Sequence, residues 1–331
     1  MMNYERLTTL VSSAALAPKP TLWQHLIMLI KSSRPPGWTF GPILYGIGLI
    51  HSGMIPKTLS ALAVCLSQIA TLSFPLCIIV FGINDVYDYQ TDIQNPRKSA
   101  TSLEGTILPP AHHAFVCRAA ITASLIIIAT SMLPFTFSPA ASMSNSTFQT
   151  YTPMLTTTAL VALGWMYSAP PVRLKEVPII DSIANGLIVF LSWFLGYASC
   201  RALAGDRGPG WNITSIPSKG YVLGLVTSSV HALGAAADID ADLAAGQRTV
   251  GTVLGSQGCA ALGVFAYGLA LLTEPLASIF GVYLIGGLSV MLSVCVVPTP
   301  TWVHYAFKII VFWTVGMSFL WFGAKLSKRS A

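Results

Sequence analysis

The sequence predicts an all-α polytopic membrane protein of about nine transmembrane helices. Hydrophobic residues fill 53% of its 331 positions and charged residues only 9%, with a mean hydropathy of +0.67. A water-soluble domain carries about 25% charged residues, so this surface cannot be solvated on every side. Apolar runs of about 20 residues, enough to cross a bilayer, recur along the chain between polar or Pro/Gly-bearing connectors. The net charge of +6 has no soluble face on which to gather, so no nucleic-acid partner is expected, and no protein partner is evident. The cysteines stand singly in apolar stretches without a C-x-x-C pair. That suggests neither a zinc site nor a disulfide framework.

The elements follow in order. Residues 1–35 form a cytosolic or interfacial segment, in which WQHLIMLIK at 23–31 reads as a short amphipathic helix lying on the membrane. Spans are predicted near 36–54, 60–83, 111–134, 150–168, 178–200, 218–237, 256–273, 276–297 and 304–324. They form a single membrane-embedded domain over 1–331, with a bundle at 36–324 and a basic tail at 325–331. Arg6, Lys19, Lys31 and Arg34 precede the first span, which favours a cytosolic N-terminus. Nine spans then put Arg97, Lys98, Arg173, Lys175 and Arg248 on that side. The sequons at Asn145 and Asn212 fall opposite, where glycosylation would occur. Arg201, Arg207, Lys325, Lys328 and Arg329 oppose this arrangement, and an even span number stays open.

Two acidic clusters carry the chemistry. The first is Asn84-Asp85-Val-Tyr-Asp88-Tyr-Gln-Thr-Asp92, followed by Arg97 and Lys98. The second runs from Asp238 through Asp240 and Asp242 to Arg248. Asp88/Asp92 and Asp238/Asp242 are i, i+4 pairs that share a helix face if the helices continue. Carboxylates at membrane helix ends are costly without a compensating cation. Hard oxygen donors with room for water suit Mg²⁺, which commonly takes one or two carboxylates plus substrate phosphates. The cations that follow each cluster suit phosphate oxygens, and the loop Tyr167 to Lys175, with Arg173, supplies a third wall for a leaving diphosphate. Both clusters end a span on the same side, suggesting two four-helix halves facing one cavity.

These motifs resemble the UbiA superfamily of intramembrane prenyltransferases. Residues 84–92 match its N-D-x-x-D-x-x-x-D motif, Asp238 and Asp242 its second D-x-x-x-D motif, and Tyr167 with Lys175 its tyrosine/lysine loop. The resemblance implies nine helices around a lipid-accessible cavity. It also implies Mg²⁺ held by Asn84, Asp85, Asp88, Asp92, Asp238 and Asp242, with Asp88, Asp92, Asp238, Asp242, Lys175 and Tyr167 as catalytic residues. Diphosphate binding is expected from Arg97, Lys98, Arg173, Lys175 and Arg248, whereas Asp240 is an acid the motif does not require. The stretches around both acidic motifs look most like lycopene elongases, and also like a fungal branch of UbiA-type sesquiterpene cyclases.

The fate of the allylic cation divides the readings. Cyclisation of farnesyl diphosphate to a sesquiterpene hydrocarbon is favoured, in a eukaryotic endoplasmic reticulum with the active site toward the cytosol. Transfer to a phenolic or apolar acceptor is the alternative. Trp38, Phe40 and Tyr45 on the first span are candidate cation–π partners. His231 is either a proton acceptor or a hydrogen-bonded packing histidine. A cation-binding transporter fits less well, because transporters break helices near the membrane midplane and these acids lie at helix ends.

Overall fold

The computed structural model describes residues 19–93, 106–137, 147–205 and 213–330; within them regular structure is helical and no strand occurs. Helix α1 spans Leu22–Ser32. Its start is set by a capping box in which Thr21 and Gln24 each accept from the other's backbone N–H. Leu22, Trp23, Leu26 and Ile30 stay exposed while Leu29 is buried, which fits a helix lying in a membrane interface.

The remaining helices are α2 (Phe40–His51), α3 (Leu59–Tyr87), the short α4 (Tyr89–Asp92) and α5 (Pro110–Phe137). They continue as α6 (Thr147–Ser168), α7 (Ile180–Leu203), α8 (Ser218–Ala237) and the short α9 (Ile239–Ala244). The chain closes with α10 (Val250–Leu271), α11 (Ile279–Val296) and α12 (Pro300–Ser330). Seven of the predicted spans coincide with helices long and apolar enough to cross a membrane: α3, α5, α7, α8, α10, α11 and α12. The other two predicted spans are helical but fall outside that set: α2 has only 12 residues, and α6 is threonine-rich.

Two hydrophobic cores hold the bundle. One gathers residues of α1–α3 and α5–α7; the other gathers α8 and α10–α12. The expected four-helix halves are therefore unequal, because α7 joins the first core and packs on α2, α6 and α8. Small residues permit this. A Cβ placed on Gly48 of α2 would lie 2.0 Å from the Trp193 carbonyl oxygen, and one on Gly196 of α7 would lie 2.1 Å from that of Tyr45. The two helices thus meet backbone to backbone, as glycine seams allow in membrane bundles. Gly186 repeats the device against α8, where a Cβ would meet the Gly224 carbonyl at 2.3 Å.

Candidate active site

Helix α3 does not run straight into the first acidic cluster. A π turn at Ile78–Gly82 interrupts it just before Ile83–Tyr87, a feature frequent at functional sites. It changes the facing of every later side chain. The helix then breaks at Asp88 (φ −97°, ψ 1°) and restarts as α4. Asp238 breaks the chain between α8 and α9 in the same way (φ −101°, ψ 2°). Asp92 donates its N–H to the Asp88 carbonyl at 2.8 Å, and Asp242 donates to that of Asp238 at 2.9 Å. The positional echo in the sequence is thus a repeated backbone device, with Asp88 matching Asp238 and Asp92 matching Asp242.

Both breaks open on one cavity of about 390 Å³, lined by Asn84, Asp88, Thr91 and Asp92 from the first cluster and by Asp238, Asp242 and Gln247 from the second. Asp85 is not among the lining residues, although its partner Arg34 is. It is fully buried and paired with Arg34 at 3.3 Å, whose guanidinium also stacks 4.7 Å from the Phe81 ring. Asn84 donates to Ser168 Oγ at 3.3 Å, tying the cluster to the end of α6.

The loop between α6 and α7 converges on Asp88. Lys175, itself buried, forms an ion pair with Asp88 Oδ1, and Arg173 approaches the same oxygen at 3.6 Å while also pairing with Glu176. Arg34 and Arg173 both adopt left-handed backbone (φ 52° and 40°). That conformation costs a non-glycine residue roughly 1–2 kcal/mol, and such strain gathers where side-chain aim matters. Arg173 and Lys175, two of the five cations expected at the diphosphate, are thus engaged with a carboxylate. Asp242 is steadied differently: Thr249, the N-cap of α10, donates to its Oδ2 at 2.9 Å.

Tyr167 and His231 form a network behind the cavity. The Tyr167 hydroxyl lies 2.9 Å from His231 Nε2, and Ser182 Oγ lies 3.1 Å from His231 Nδ1. Both imidazole nitrogens are engaged, and His231 is not among the lining residues. Beside it the buried Asp181 accepts from its neighbour Ser182 N–H and, at 3.0 Å, from Val250 N–H. It anchors the start of α10, a role with no motif in the sequence.

Several predicted residues stand elsewhere. Asp240 and Arg248 are exposed and off the cavity wall. The first-span aromatics do not line it either. Phe40 is 42% exposed, Trp38 donates its indole N–H to Ser33 and packs on Phe74, and Tyr45 is fully buried with its hydroxyl on Gln68. An apolar helix has aromatics on every face, and the sequence could not tell which face meets the cavity. Arg97, Lys98, Asn145 and Asn212 lie outside the described residues. In return, α12 brings His304, Phe307 and Lys308 to the cavity. An ionisable residue inside a membrane helix was the signal available for Lys308.

No three carboxylate, histidine or cysteine side chains among the described residues converge tightly enough to enclose a metal ion. The donor set nevertheless suits Mg²⁺. Four carboxylates in two pairs face one cavity with an amide nearby, and Mg²⁺ completes its shell with water and phosphate oxygens.

A helical membrane bundle with two acidic helix breaks facing one cavity defines the architecture of an intramembrane prenyltransferase, and the chain belongs to the UbiA superfamily. A lycopene elongase/hydratase of Haloarcula japonica is 30% identical over 256 residues, covering 73% of this chain and 71% of that one. Another, of Corynebacterium glutamicum, is 27% identical over 301 residues and covers 89% and 88%. Among solved structures, an apo UbiA homologue of Aeropyrum pernix K1 has a TM-score of 0.64 at 17% identity, covering 90% of this chain and 99% of that one. A UbiA homologue of Archaeoglobus fulgidus bound to GPP and Mg²⁺ has a TM-score of 0.56 at 18% identity, covering 92% and 100%. No family model matches the chain.

Proposed function

We propose that the chain ionises an isoprenyl diphosphate and directs the allylic cation onto a carbon–carbon double bond, with farnesyl diphosphate cyclising to a sesquiterpene hydrocarbon. The observation that carries this is the pair of acid clusters facing one cavity that also presents small or apolar residues, Gly234, Ala237, Ala241, Ala245 and Phe307, beside the polar Arg34, His304 and Lys308. Asn84, Asp88, Asp92, Asp238 and Asp242 are the residues suited to holding Mg²⁺; Asp85 sits behind them on Arg34. When bound, the ion supplies charge neutralisation for the departing diphosphate.

The protein's own part is positioning. The C–O bond breaks with its electron pair leaving on the diphosphate, a π pair of an alkene forms the new C–C bond, and a proton is lost from the adjacent carbon. Lys175 and Arg173 hold the Asp88 carboxylate in place at the end of α3. Arg34 is committed to Asp85, so it is not free to anchor the carboxylate of a hydroxybenzoate. Arg34 therefore does not single out a phenolic acid, and alkenes are the proposed acceptors. The prenyl chain's own double bonds are the nearest, and holding them close favours intramolecular attack. A second reading, transfer to a separate apolar polyene, is favoured by the lycopene elongase/hydratase names of the relatives.

The test is incubation of the full-length protein in membranes with farnesyl diphosphate and Mg²⁺, with and without lycopene. A cyclic hydrocarbon formed without acceptor supports cyclisation. Turnover only with lycopene, giving an elongated polyene, replaces it with transfer. Turnover only with a phenol overturns both.

A further inference from the structure

We infer that Lys308 of α12 binds the substrate's diphosphate directly, making the last helix a wall of the ionisation site. This rests on the isoprenyl diphosphate reading and adds a residue that neither acidic motif nor the Tyr167–Lys175 loop contains. Arg34 is held by Asp85, and Arg173 and Lys175 by Asp88. Lys308 also lines the cavity, yet it makes no hydrogen bond or ion pair among the described residues. Its side chain is exposed rather than packed into the bundle, so its ammonium is not committed to a structural contact.

Its placement is fixed by its neighbours. Phe307 packs on α8 where Gly234 leaves room: a Cβ there would meet the Phe307 ring at 3.0 Å. Gly234 lies one helical turn before Asp238, so this contact seats α12 beside the second acidic break. His304 and Lys308, four residues apart, share one face of α12, and both line the cavity. A lysine is a flexible point charge that binds phosphate without a fixed fork geometry. Opposite four carboxylates, an unpaired ammonium raises affinity for an anion that the acids alone would repel. The chemistry implied is a diphosphate ester, with the ammonium on its non-bridging oxygens.

The experiment uses full-length protein in nanodiscs of zwitterionic lipid with Mg²⁺. Binding of radiolabelled farnesyl diphosphate is measured directly, alongside competition by inorganic pyrophosphate and steady-state turnover. Losing a charge-assisted hydrogen bond of about 1.5–3 kcal/mol should weaken binding roughly tenfold or more in K308M. KM should rise by a similar factor with kcat little changed, pyrophosphate competition should weaken in parallel, and K308R should restore binding to within about threefold. A thermal melt of K308M like that of the wild type separates this from misfolding. Wild-type-like binding in K308M overturns the assignment while leaving the isoprenoid reading intact. An effect confined to nanodiscs of anionic lipid also overturns it, by making Lys308 a headgroup contact. Absence of farnesyl diphosphate binding in the wild type overturns both.

Discussion

The contact between α2 and α7 gives a test that depends on geometry alone. At Gly196 a methyl group would sit 2.1 Å from the Tyr45 carbonyl oxygen and 2.8 Å from its carbon. An ordinary contact lies near 3.5 Å, so Gly196→Ala must open the α2–α7 interface by about 1 Å or more. Gly48 presses the same interface from the other side, at 2.0 Å from the Trp193 carbonyl, so neither backbone has room to yield. Overpacking costs typically 1–3 kcal/mol, and a clash with backbone rather than a side-chain tip belongs at the upper end, about 3 kcal/mol. Gly268 of α10 is the matched control, because a Cβ there meets nothing within 4 Å. Alanine in a helix interior gains about 0.8–1.0 kcal/mol over glycine, so Gly268→Ala should be neutral or stabilising. Both sites are helix-interior and share that gain, so two chemically identical changes should differ by the overpacking cost alone, about 3 kcal/mol. Unfolding of the purified protein in mixed detergent micelles, followed by circular dichroism, measures both. A Gly196→Ala variant within about 0.5 kcal/mol of the wild type would refute the backbone-to-backbone packing of α2 on α7.

Further expectations concern the site and its orientation. Asp242→Ala should remove most turnover with little loss of stability, whereas Asp88→Ala should also lower stability by stranding the buried Lys175; full activity in both, or in EDTA, would sink the metal-bridged reading. Arg34→Met should destabilise by about 3 kcal/mol, the usual cost of breaking a buried pair, and Asp85→Asn in that background should recover part of it; a double mutant no better than Arg34→Met would show that the pair is not coupled. Asn145 and Asn212 should both report a non-cytosolic side in endoglycosidase or cysteine-labelling assays, and labelling of either by a cytosol-restricted reagent would contradict the nine-span arrangement.

The sequence made the acids legible because their cost is legible. A carboxylate at a membrane helix end is rare enough to mark a site, and Asp88, Asp92, Asp238 and Asp242 all line the cavity. The loop from Tyr167 to Lys175 was legible for the same reason, although its cations grip Asp88 and its tyrosine faces His231. What stayed hidden is which face of an apolar helix turns inward. Phe40 and Tyr45 lie on a helix whose residues are apolar nearly all round, and Trp38 on the turn that leads into it, so no period distinguishes cavity from lipid or core. Phe307 and His304 were obscured by the same uniformity on α12. Asp181 was invisible for a different reason. Its partner, the N–H of Val250, is 69 residues away, and no local pattern announces a cap supplied from another helix.

The matching breaks at Asp88 and Asp238 explain how one bundle can hold so much negative charge. Each lies in the sparsely populated bridge region of backbone space, where many active-site residues sit. Each ends an apolar helix and starts a short polar one, so the carboxylates emerge at the helix boundary instead of within hydrocarbon. The two copies differ in what steadies them. Asp88 carries two cations from the α6–α7 loop, and its partner Asp85 is buried on Arg34, so the first cluster is largely offset by protein charge. Asp242 accepts from the Thr249 hydroxyl, which orients the carboxylate. Two backbone breaks of one kind thus present four carboxylates to one cavity, and α12 walls it beside them with His304, Phe307 and Lys308.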